Sequence, residues 1–204
     1  MKTQIAICCV LAACSSAKDE TSESPANDLA VAGSAAPVQP PTGISVSGPV
    51  TGGKGAAFSA STINLDEYGY TESEFFFEGT ATSYAIPSGM SMDGKWTLSE
   101  ANKAAFKSRL VVRRPKDASK FNGTVVVEWL NVSGGVDSDP GFMYNLDLLV
   151  REGYAWVGVT AQIVGVEGGG FSLSSIAGGP EVKPLKQYDP ARYGTLEHPG
   201  DAYS

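Results

Sequence analysis

Along this chain the apolar positions first alternate and then run together. "ISVSGPV" (44–50) predicts a first strand and "EFFFEGTATSYAI" (74–86) a second with aromatic bulk; "SRLVVRRP" (108–115) is a third, closed by a proline that cannot donate to a ladder. The stretch 64–74 between the first two reads as loop or short helix. Residues 87–102 read as a long turn, with a helix over 99–106. From Thr124 the pattern changes. "TVVVEWLNV" (124–132) is almost continuously apolar and β-branched, the mark of a strand covered on both faces. Asp139-Pro140 then offers an N-cap and a first-turn proline. Phe142, Leu146, Leu149 and Val150 recur at helical spacing, and Gly153 is placed to end the helix. "YAWVGVTAQ" (154–162) is a second buried strand. Strand, helix and strand of these lengths predict a right-handed βαβ unit, so an antiparallel start gives way to two parallel strands.

The joint between the first of those strands and the helix carries the candidate chemistry. Its "NVSGG" is one substitution from the nucleophile-elbow pattern G-x-S-x-G, with Asn131 where the first glycine belongs. An elbow turns its strand directly into its helix at the serine, whereas Gly134 to Pro140 intervene here. His198, the single histidine, would formally complete a triad with Ser133 and either Asp147 or Asp189. A second reading uses backbone alone. Loops at the carboxyl ends of parallel strands are where open α/β sheets bind ligands, and the amides of Ser133 and Gly134 would there form an oxyanion hole. In a third reading, Gly134 and Gly135 merely permit a turn with positive φ.

Composition narrows the partners. The 204 residues carry a formal net charge of −7 with no run of lysine and arginine, so the chain repels a polyanion and nucleic acid is not an expected partner. All three cysteines, Cys8, Cys9 and Cys14, lie at the start. The rest of the chain therefore has no thiolate nucleophile, disulfide or cysteine metal ligand, and one histidine does not make a metal site. Neither a metal nor a cofactor is expected.

That start reads as an export signal. Lys2 precedes an apolar segment, Ile5 to Ala13, too short to cross a bilayer as a helix. Its end, Leu11-Ala12-Ala13-Cys14, resembles the bacterial lipobox, which implies removal of 1–13 and acylation of Cys14; the alternative is an ordinary cleavage after Ala17 that discards the cysteine. Ser15 after the cysteine implies the outer membrane, on its periplasmic face or at the cell surface. Residues 14–43 hold no aromatic residue and little periodicity, so they read as a disordered tether reaching roughly 30 Å from its anchor.

Residues 44–204 then form one domain. "LDEYGYTESEFFFEGTATSY", "RLVVRRP", "FNGTVVVEWLNVSGG", "EGYAWVGVTAQ" and "YDPARYGTLEHPGDAYS" together resemble the N-terminal part of a bacterial family of alpha/beta-hydrolase domain proteins, similar in fold to esterases. The resemblance implies an α/β fold of which this chain is the N-terminal half, with an incomplete sheet. It implies a small-molecule ester as substrate, 133–135 as the oxyanion loop, and a serine elbow, acid and histidine that come later. No G-x-S-x-G occurs in the chain, so the triad is expected beyond Ser204, and "TVVVEWL" is expected to present an open edge. A non-catalytic surface lipoprotein that keeps half a hydrolase sheet is the alternative.

Weaker signals complete the reading. His198 sits in a loop after the last strand and is a candidate lining residue for a pocket. Asp137 and Asp139 read as capping residues rather than cation ligands, and Asp201 as the N-cap of a further helix. "GPVTGGKG" (48–55) lacks the hydroxyl a phosphate loop needs and reads as a turn. The glycine-rich stretch from Val166 to Pro180 reads as a loop at the strand ends.

Overall fold

The computed structural model describes residues 43–87, 89–169, 178 and 182–200. The chain separates into Met1–Gln39 and Pro40–Ser204, and every described residue falls in the second unit. The export signal, Cys14, the tether up to Thr42, most of 170–181 and Asp201 lie outside the described residues.

Five strands build one mixed sheet: β1 (Ser45–Ser47), β2 (Tyr70–Ala85), β3 (Ser99–Pro115), β4 (Val125–Trp129) and β5 (Ala155–Val159), in the order β1-β2-β3-β5-β4. The first three are antiparallel, β5 runs antiparallel to β3, and β4 pairs with β5 in parallel. This is the expected change of direction. Between β4 and β5 lies α1 (Pro140–Arg151). Three short helices follow: α2 (Ile163–Glu167), α3 (Leu185–Tyr188) and α4 (Pro190–Tyr193). A 3-10 turn at Leu65–Tyr68 opens β2, capped by Asn64 and ended by Gly69 in the left-handed region.

One expected helix is strand instead. Residues 99–106, with three alanines, a glutamate and a lysine, have helical propensity, yet they pair along β2, with Ala105 opposite Thr80 and Ala104 opposite Ala81. A ladder that extends an already formed hairpin outweighs a per-residue preference of a few tenths of a kcal/mol.

The core lies on one face of the sheet. Phe142, Leu146 and Leu149 of α1 pack with Tyr70, Val111, Leu130 and Trp156. Beside them Phe76 packs with Val166, Leu185, Tyr193 and Leu196 from the short helices and their flanks. Burial of each large side chain contributes about 1.5–3 kcal/mol. The strand pairing places Glu72, Glu74, Phe76, Arg109, Val111, Arg113 and Trp156 on this same face.

The double covering expected of 124–132 is not found among the described residues. Val126 packs against the α1 core and Glu128 points to α1, but Val127 and Trp129 on the other face are 65% and 63% exposed. A run of β-branched residues specifies extended backbone without saying which face is packed, and α1 covers one face only. The outer edge of β4 has no strand partner among the described residues, as the open-edge expectation required.

Candidate active site

The carboxyl end of β4 leads into the loop that holds Ser133. The ladder runs on to Leu130, whose amide donates to the Val159 carbonyl at 3.0 Å. Asn131 and Ser138 then exchange both backbone hydrogen bonds at 2.9 Å, and the Ser138 hydroxyl donates to the Asn131 carbonyl at 3.0 Å, so the loop is closed at its neck. Inside it the Gly135 amide donates to the Val132 carbonyl at 2.8 Å, and Gly135 takes φ +86°, which a side chain would strain. The Ser133 amide donates to the Asn131 side-chain oxygen at 2.9 Å. Ser133 is exposed, and an oxyanion on its amide would have to displace that carboxamide.

Two arginines of β3 fix the loop from beneath. Arg109 donates to Asp137 Oδ2 from Nη2 at 2.8 Å, to Glu74 Oε1 from Nη1 at 3.2 Å, and to Thr160 Oγ1 from Nε at 3.0 Å. The Thr160 hydroxyl in turn donates to Asp137 Oδ2 at 2.5 Å. Burial alone would lower the Arg109 pKa; the charges of Asp137 and Glu74 outweigh it, so the net shift is upward and the guanidinium stays charged. Arg113 donates to Glu72 at 2.7 Å and to Asp139, and its guanidinium lies 4.2 Å from the Phe142 ring centroid and 4.6 Å from that of Trp156.

Asp137 and Asp139 thus serve as ion-pair partners, which corrects the capping expectation. Asp139 stands at the N-cap position of α1 without a side-chain cap bond. Glu128, reaching across from β4, accepts from the Gly141 and Phe142 amides at 2.7 and 2.9 Å and from the Trp156 indole at 3.0 Å. A carboxylate there complements the positive end of the helix and satisfies two of its unpaired amides.

A third arginine completes the network. Arg192 of α4 donates to Glu74 Oε2 at 2.6 Å and to the Gly52 and Val50 carbonyls at 2.9 Å each, which fastens the 48–55 turn to the sheet. The Tyr193 hydroxyl donates to Glu74 Oε1 at 2.9 Å and accepts from the Phe58 amide at 2.7 Å; burial raises its pKa.

His198 is half-buried, with both ring nitrogens engaged. Nδ1 accepts from the Gly200 amide at 3.1 Å, so the proton sits on Nε2, which contacts the Ala161 carbonyl at 3.1 Å. The formal triad is not assembled. Asp189 accepts from the Lys54 and Arg192 amides at 2.6 and 3.2 Å, and Asp147 is exposed on α1. His198 instead lines a cavity of about 530 Å³ with Phe77, Phe106, Ser108, Val159 and Thr160. The Ser108 hydroxyl is spent on the Thr160 carbonyl, so the walls are chiefly apolar. The cavity is lined by Val159, Thr160 and Ala161 at the carboxyl end of β5, and the parallel pairing of Trp129 with Val159 puts the 131–138 loop at that same end. Ser133 and Gly134 belong to the loop and not to the cavity lining. Among the described residues no cluster of three or more metal-ligating side chains occurs.

Sequence reasoning missed Arg109, Arg113 and their carboxylates. The signal was present: Arg109, Val111 and Arg113 alternate on one face of "SRLVVRRP", and Glu72 and Glu74 alternate likewise in the partner strand. A family model described as an alpha/beta hydrolase domain matches residues 46–204. No curated protein and no solved structure matches the chain.

Proposed function

Because the chain belongs to the alpha/beta hydrolase domain family, we propose that it supplies the sheet, oxyanion loop and substrate cavity of an exported, lipid-anchored carboxylic-ester hydrolase. The observation that carries this reading is the coincidence, at the carboxyl end of the parallel pair β4/β5, of a clamped glycine loop and an apolar cavity. That is where an α/β sheet takes its ligand. The apolar part of the ester lies in the cavity beside His198. The amides of Ser133 and Gly134 bind the developing oxyanion once Asn131 swings aside, and such a donor is worth about 2.7–4 kcal/mol of barrier.

The nucleophile, acid and base come from outside these 204 residues. Both ring nitrogens of the only histidine are engaged by backbone groups, Ala161 and Gly200, which leaves it no free nitrogen for use as a base. The same observation favours, as a second reading, a non-catalytic lipoprotein that binds its ligand in the cavity.

Hydrolysis of short p-nitrophenyl esters separates these readings. The 204-residue chain alone gives no serine-dependent turnover. A longer gene product carrying a G-x-S-x-G elbow turns the esters over and loses activity when the elbow serine becomes alanine. Turnover by the 204-residue chain that disappears in Ser133→Ala would instead make Ser133 the nucleophile, and a longer product without activity leaves the binding protein. Labelled palmitate incorporated by cells into the protein, and lost in Cys14→Ser, tests the anchor.

A further inference from the structure

The β2–β3 hairpin outruns the rest of the sheet. β1 pairs only with residues 76–78 and β5 only with 110–113, so from Gly79 and Phe106 outward the hairpin is a two-stranded ribbon. Such ribbons are marginal in water unless another surface supports them. At its end Tyr84, Met90, Trp96 and Leu98 are exposed, and Met92 is fully so. None of them belongs to either core cluster.

The hydrogen bonds of the tip's described residues suit a surface poorer in water. Its turns close on themselves, with the Gly89 amide donating to Ile86 at 3.1 Å and the Lys95 amide to Asp93 Oδ1 at 3.1 Å. The Trp96 indole N–H is spent on the Ser91 carbonyl at 2.8 Å, so its ring can leave water without stranding a donor. Residues 84–98 carry only Asp93 and Lys95 as charges, which cancel, in a chain of net charge −7. The Ser91 hydroxyl and then the Lys95 amide lower the pKa of Asp93, which stays ionised and limits how deep the tip can go.

We propose that the tip of this hairpin, residues 84–87 and 89–98, docks on an uncharged lipid surface, with Met90, Met92 and Trp96 at the depth of the headgroups and Asp93 facing water. This rests on the lipid-anchor reading of Cys14, whose tether would hold the domain roughly 30 Å from a bilayer. Aromatic and thioether side chains favour that depth, and a tip with no net charge gains nothing from anionic lipid.

The chain from Ser15 to Ser204, which lacks both the apolar export segment and the acylated cysteine, mixed with phosphatidylcholine vesicles containing brominated acyl chains, tests the tip apart from the anchor. Tryptophan emission should shift to the blue and be quenched, the quenching should vanish in Trp96→Phe although Trp129 and Trp156 remain, and Met92→Asp should weaken binding at least tenfold. Phosphatidylglycerol should not strengthen binding. Quenching unchanged by Trp96→Phe, binding that requires anionic lipid, or concentration-dependent dimers abolished by Met92→Asp in the absence of lipid would each overturn the proposal. Failure of palmitate incorporation at Cys14 with quenching intact would remove the anchor and leave the tip.

Discussion

Arg109 Nη2 lies 2.8 Å from Asp137 Oδ2, with both side chains sealed from solvent. The pair joins the middle of the sheet to the loop after β4, and Arg113 with Asp139 repeats the arrangement at the start of α1. Taking two charges out of water is costly, so the pair holds the loop's position more than it adds net stability. Asp137 Oδ1 has no hydrogen-bond partner among the described residues and sits against Gly165 of α2, where an added Cβ would come within 2.2 Å of it. The loop is therefore wedged between β3 and α2.

Breaking this pair from one side leaves a buried charge alone. Asp137→Ala should cost about 3–5 kcal/mol in urea unfolding and speed amide exchange across 131–138. The double change Arg109→Met with Asp137→Ala should cost less than the sum of the two single changes.

Glu128 gathers three donors with one side chain: two α1 amides and the Trp156 indole. Glu128→Ala should destabilise by about 2–3 kcal/mol, since charge-assisted bonds and a helix start are lost together. Glu128→Gln keeps one acceptor and should recover roughly half, measured on the same unfolding curves.

Two glycines with left-handed backbone should respond differently to alanine. Gly153 (φ +72°) would place its Cβ 2.1 Å from the Lys120 carbonyl, whereas Gly123 (φ +88°) has open space around it. Gly123→Ala should cost about 1–2 kcal/mol from backbone strain alone. Gly153→Ala should cost clearly more, because the αβ turn must move, and thermal melts of the two variants side by side test the ranking.

Burial raises the pKa of Tyr193 and of Tyr70, whose single hydroxyl proton is shared between the Leu149 and Tyr154 carbonyls, at 2.9 and 2.8 Å from the oxygen. A folded-state pKa above the unfolded value of about 10 means the stabilisation is complete below pH 10 and lost as pH rises through the folded values. Stability against urea should therefore fall above about pH 10, with a shallower slope in Tyr70→Phe despite its lower stability at neutral pH.

Much of the frame was legible. The continuous β-branched and apolar runs of 124–132 and 154–162 located β4 and β5, because they specify extended backbone, and the helical spacing over 142–150 located α1, which buries one face at its own period. Residues 99–106 misled because their three alanines favour helix in isolation, whereas their strand partners, from Ala85 opposite Ser99 to Gly79 opposite Phe106, lie across the hairpin beyond the reach of a local window. Asp137 and Asp139 misled for a related reason: next to a proline-led helix they look like caps, and the arginines that claim them are more than 20 residues distant.

The sequence by itself determined where β4, α1 and β5 lie, which loop follows β4, and that a single histidine is available, since these depend on local pattern and counting. Only the tertiary structure decided that β3 turns Arg109 and Arg113 inward beneath that loop, that Asp137 and Asp139 become their partners, and that His198 meets the Ala161 carbonyl at a cavity wall. Each of those outcomes depends on register and on partners remote in the chain, and the energy that selects them, the cost of leaving a buried charge or donor unpaired, exists only once the chain has packed.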